Sequence, residues 1–133
     1  MSKLREKSKL NLDAAEVLIG ESLHAPSVHC SYYSCFQRIK CILPEYYGIS
    51  YEQIDTHVAN LSTSEHNYLI RFLSAEIKKN IGDKEYRDFS NDIKDLKLFR
   101  TNSDYKEIEV TSILSDKALN IAKRINTLLD ETF

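Results

Sequence analysis

Two apolar seams in the second half of the chain constrain its fold more than any other feature of the sequence. Tyr86, Phe89, Ile93, Leu96 and Arg100 recur at intervals of 3, 4, 3 and 4 residues, and Leu114, Ala118, Ile121, Ile125 and Leu128 at 4, 3, 4 and 3. That alternation puts side chains on one face of a helix, and two such faces are what antiparallel bundle neighbours bury against each other. A third stripe, Val28, Tyr32, Cys35, Phe36, Ile39 and Leu43, has the same character. Only 3 glycines and 2 prolines interrupt 133 residues, so little in the chain breaks a helix. The expectation is an all-α protein, a single domain over residues 1–133, folded as an up-and-down bundle of four to five helices.

The helix ends follow from caps and breakers. The first helix is expected from Ser2 to Leu23, with Leu10, Ala14, Val17 and Leu18 on its inner face. Pro26 suits the first turn of the second helix and Ser27 a cap; Pro44 should stop that helix after Leu43. Residues 44–61 then read as a long loop with a short helical turn at Tyr51–Ile54, and loops of that length are often functional. Ser62-Thr63-Ser64-Glu65 matches a capping box for the third helix, on which Leu69, Phe72, Leu73 and Ile77 face inward. Gly82 is expected in the left-handed cap position behind it. Asn102-Ser103-Asp104 reads as the end of the fourth helix. The last helix is expected from Ile108 or Ser112 to Leu129.

Charge narrows the function. Lys and Arg total 18 against 20 Asp and Glu, a net charge of −2, which argues against sequence-independent binding of duplex DNA but leaves room for one basic pocket. No apolar run approaches the roughly 20 residues of a membrane helix, so no membrane partner is expected. An odd cysteine count without an apolar leader reads as reduced thiols in a cytoplasm. Cys30, Cys35 and Cys41 lie 5 and 6 residues apart, which fits no chelating step even with His29 nearby, so they read as packing thiols and no metal is expected. Glycine-rich nucleotide loops, a G-x-S-x-G elbow and a di-iron E-x-x-H pair are all missing, and no cofactor is expected.

Two segments carry a family resemblance. SVHCSYYSCFQRIKCIL, residues 27–43, has a polar lead-in, the pair Tyr32-Tyr33, the small Ser34 and then Phe36; it resembles the second helix of HEPN domains. LFRTNSDYKEIEV, residues 98–110, is similar to the family's second motif in a prokaryotic branch that reads R-x-x-A-D-Y. Thr56-His57 lies where that branch often carries a Thr-His pair, and KALNIAKRINTLL fits the closing helix. The resemblance covers nearly the whole chain. It implies a helical homodimer, often paired with a minimal nucleotidyltransferase in toxin–antitoxin systems. Active members are metal-independent RNases with an R-x(4–6)-H motif, in which the arginine holds the phosphate and the histidine moves a proton during attack by the 2′-hydroxyl. Here Arg100 is present, but the residue five further on is Tyr105. A phenol with a pKa of about 10 is a poor base where an imidazole near 6.5 is a good one.

Each candidate residue has a second reading. Arg100 is a phosphate clamp through its planar fork, or a helix-end arginine paired with Asp104. Asn102, Asp104 and Tyr33 are candidate ligand contacts; Asp104 reads first as a cap for the next turn, and Tyr33 points off the core stripe toward a neighbouring helix, a dimer partner or the cleft. Tyr105 is a ligand contact or nucleotide acceptor, with packing expected first. His57 replaces the missing base if its loop folds over Arg100, and is otherwise an exposed loop histidine. The expected function is a homodimeric module that binds a nucleotide or RNA phosphate and partners a nucleotidyltransferase in a toxin–antitoxin or defence system. The alternatives are an active metal-independent ribonuclease toxin and a purely structural interaction bundle.

Overall fold

A computed structural model describes residues 2–133, which form six helices: α1 (Lys3–Gly20), α2 (His24–Tyr47), α3 (Tyr51–Asn60), α4 (Glu65–Asn80), α5 (Asp83–Tyr105) and α6 (Ser112–Thr132). The protein is an all-α bundle, and the three stripes read from the sequence form its core. α2 is the central helix, packed against α1, α4, α5 and α6. Val28, Tyr32, Cys35, Phe36, Ile39 and Leu43 are all buried on it. They meet Leu69, Leu73 and Ile77 of α4, Phe89, Ile93 and Leu96 of α5, and Ala118, Ile121 and Ile125 of α6 in one cluster.

α3 accounts for a helix count above the expected four to five. The segment read as a loop carries a complete capping box: the Ser50 hydroxyl accepts from Gln53 N while the Gln53 side chain accepts from Ser50 N. Ile54, fully buried, anchors it. Pro44 does not stop α2. The helix absorbs the missing N–H and runs to Tyr47; Gly48, with φ of 68°, then makes the left-handed turn, and Ile49 N bonds back to Leu43 O.

Other boundaries shift for local reasons. α4 starts at Glu65 because Ser64, rather than Ser62, caps it by accepting from Asn67 N. Gly82 has a positive φ of 158° but, with ψ 173°, is not left-handed helical, and it stands at the N-cap of α5. α5 continues through Asn102, Ser103 and Asp104, so Tyr105 is its last helical residue.

Half of the expected inner face of α1 turns outward, while Ala14 and Leu18 are half-buried. Leu10 and Val17 are 66% and 65% exposed, while Ser8 and Ala15 are buried. The α1–α2 contact is made of small residues that let two backbones approach. Ser27 Oγ donates to Ala15 O at 2.8 Å, so Ser27 joins the helices instead of capping one, and Ser8 Oγ donates to Ser34 O. Asn11 Nδ2 adds a bond to Gln37 Oε1 at 2.8 Å. This seam is polar and small, which a search for apolar periodicity passes over.

Candidate functional site

The stripe on α5 places Arg100 one turn beyond Leu96, pointing at α2. A leucine there would end the core. The arginine instead carries a guanidinium into its edge, where the residue is 9% exposed. Three rings surround it: the guanidinium carbon is 5.0 Å from the centroid of Tyr32, 5.5 Å from Tyr33 and 5.8 Å from Tyr105. All three distances are within cation–π range. Tyr32 and Tyr33 are held by α2 and meet edge to face. Tyr105 is 76% exposed, so it is an open cover on the guanidinium and not the packed tyrosine expected.

Hydrogen bonding leaves this arginine under-used. Its Nε is buried and, among the described residues, has no partner; the same holds for Ser103 Oγ, one turn further along α5. Buried donors are normally paired, and an unmade bond is costly. Asp104 is the nearest carboxylate, with Oδ2 3.8 Å from Nη1. That oxygen is already engaged at 2.7 Å by Nδ1 of His29. Asp104 therefore ties the start of α2 to the end of α5, and does not cap the following turn. Its side chain is only 18% exposed. The expected Arg100–Asp104 pair exists, but at a length that does not lock the guanidinium.

Sequence reasoning missed His66. It lies in the first turn of α4, stacked on Phe36 with centroids 4.1 Å apart, and its Nδ1 is 2.6 Å from the Tyr32 hydroxyl. Burial first, then the charges of Arg100 and Lys97, push its pKa below the ordinary imidazole value. The shift favours the neutral ring, which can accept a proton at a free nitrogen. The Tyr32 hydroxyl moves the other way, its pKa raised by burial against the opposing pull of Arg100. Lys97 is lowered by burial and then by Arg100. The signal for His66 was present: His66, Leu69, Leu73 and Ile77 continue one stripe on α4, as Arg100 continues the stripe of α5.

Of the expected site residues, Arg100, Tyr33, Asp104 and Tyr105 come together. Asn102 is half-buried in the same last turns of α5, where its backbone carbonyl accepts from Lys106 N. His57 does not join them. It sits exposed on α3, not on a mobile loop, and its Nδ1 is 2.8 Å from the Tyr68 hydroxyl. Cys35 and Cys41 are buried free thiols, with burial raising the Cys35 pKa to about 12. Among the described residues, no helix is long and apolar enough to cross a membrane.

The chain is thus an all-α bundle whose edge holds a tyrosine-caged arginine near a half-buried histidine. Comparison with protein-family models, with curated proteins and with solved structures returned no match.

Proposed function

We propose that the chain is a HEPN-type module that binds the phosphate of a nucleotide or RNA at Arg100. The observation that carries this reading is the buried, unpartnered Nε of Arg100 inside a ring cage. A guanidinium meets phosphate through two parallel N–H bonds, and the neighbouring rings offer faces for a base. Tyr105, the exposed ring, is the one that moves most cheaply to admit a ligand. The resemblance adds a homodimer and a nucleotidyltransferase partner. Leu98 and Tyr105, exposed a heptad apart on the Arg100 helix, support a covered face there. The test is binding of a nucleoside monophosphate by wild type, Arg100→Met and Arg100→Lys, beside the protein's mass in solution. Binding lost in Arg100→Met and weakened in Arg100→Lys supports the reading; equal binding by all three refutes it.

His66 favours a second reading, the metal-independent ribonuclease. In it Arg100 holds the phosphate and neutral His66 takes the proton of a 2′-hydroxyl. The 2′-oxygen bonds to phosphorus as the bond to the 5′-oxygen breaks, and the leaving oxygen takes up a proton from water. His66 here fills the role that Tyr105 fills poorly. RNA cleavage in chelator by wild type, His66→Gln and His57→Ala separates the cases. Cleavage lost only in His66→Gln supports catalysis at this site; no cleavage by wild type leaves the binding module.

A further inference from the structure

A groove of about 470 Å³ runs between α4 and α5, and its charge is one-sided. Arg71 and Lys78 line it from α4, and Lys94 and Lys97 from α5; no aspartate or glutamate lines it. In a chain of net charge −2 this is a segregation of charge, not a reflection of composition. Among the described residues, none of these four cations makes a salt bridge. Two acids of α5 are engaged elsewhere: Asp92 takes Arg124 of α6 through two bonds, and Asp88 takes Lys84. The neighbouring groove between α5 and α6 is lined by both signs and is neutralised in this way.

The basic groove ends within one helical turn of Arg100 on α5. Lys97 is three residues before Arg100 on α5 and donates to Asn67 Oδ1 at 2.9 Å across the groove. Arg100 contributes to lowering its pKa, so the two charges act on each other. At the far end the Lys78 ammonium lies 5.1 Å over the ring of Tyr86. From Asn67 to Lys78 the α4 wall is about 16 Å long. Four cations stand along the groove, enough to meet several successive phosphates of one strand. A narrow track of cations with hydroxyl and amide groups between them fits a flexible polyanion better than a duplex, which presents a broad curved surface.

We infer that the α4–α5 groove carries the backbone of a single-stranded RNA whose terminal or scissile phosphate sits on Arg100. This rests on the phosphate-binding reading of Arg100. The test is fluorescence anisotropy with labelled 2′-O-methyl oligouridylates, which resist cleavage, of two, six and twelve nucleotides at several salt concentrations. The full chain is compared with Arg71→Gln/Lys94→Gln, two exposed positions whose change leaves the core intact, and with Arg100→Met. Affinity should rise from the dinucleotide to the hexamer. The double variant should bind the hexamer roughly tenfold more weakly and lower the salt slope by about 1.4, two charges at ~0.7 each. Its dinucleotide binding should match wild type. Affinity independent of length, or a double variant that binds the hexamer like wild type, overturns the groove. So does equal or tighter binding of a duplex or of polyglutamate. If Arg100→Met changes no affinity while the double variant does, the groove stands and the Arg100 reading fails.

Discussion

Replacing Arg100 by methionine asks whether the arginine is there for stability. Three rings at 5.0, 5.5 and 5.8 Å share one desolvated cation, together worth about 2 kcal/mol. The 3.8 Å approach to Asp104 adds about 0–1 kcal/mol, since that carboxylate is shared with His29. Against these stands the buried Nε with no partner, which costs about 1–3 kcal/mol. Methionine keeps most of the apolar stem and adapts to the cage. The sum is close to zero, so Arg100→Met should lie within about 1 kcal/mol of wild type. Urea unfolding measures it as a shift in midpoint at unchanged m. A loss of about 3 kcal/mol or more, the scale of a broken buried ion pair, would show that Arg100 holds the bundle together. The case for a ligand site would then lose its basis.

The same stripe supplies the contrast: Leu96→Ala, at a fully buried position one turn earlier, should cost about 2–5 kcal/mol in the same assay. Tyr32→Phe keeps the ring over Arg100 but removes the hydroxyl from His66, and should cost about 1–3 kcal/mol through the histidine nitrogen left unpaired. His66 also sets a pH dependence. Its folded pKa is below the ordinary 6.5, so between the two values the unfolded chain binds more protons than the folded one. Its contribution is fully present above pH 6.5 and is lost as pH falls through the folded value. Urea unfolding from pH 8 to pH 5 should therefore show wild type losing stability relative to His66→Gln on acidification; parallel curves would contradict the assignment.

Most of the bundle was legible because periodic burial writes itself into the sequence. The stripes of α2, α5 and α6 needed only spacing, and the same spacing carried Arg100 inward. The misreadings share a cause: they lie where a local signal met a tertiary one. Leu10 and Val17 form a plausible inner face, but serines pair α1 with α2 more closely than leucines allow. Pro44 is a breaker by propensity, yet burial of Cys41, Ile42 and Leu43 on several sides keeps α2 helical past it. At the site, Arg100, Asp104, Tyr33 and Tyr105 share α5 or the resembled motif, so chain proximity revealed them. His66 is 34 residues from Tyr32 in sequence and reaches it only because α4 crosses α2 at that level. His57, offered by its place in the motif, is exposed on α3 and paired with Tyr68.

The claim that Arg100 is a phosphate site is tested most directly by following arginine Nε–Hε resonances during titration with uridine 3′-monophosphate. An unpaired Nε–H that gains a phosphate oxygen moves strongly downfield and exchanges more slowly. The account predicts that the Arg100 signal, identified by its loss in Arg100→Met, moves this way and saturates while the Arg124 signal, already paired with Asp92, stays in place. An Arg100 signal that stays in place through millimolar nucleotide would contradict the account.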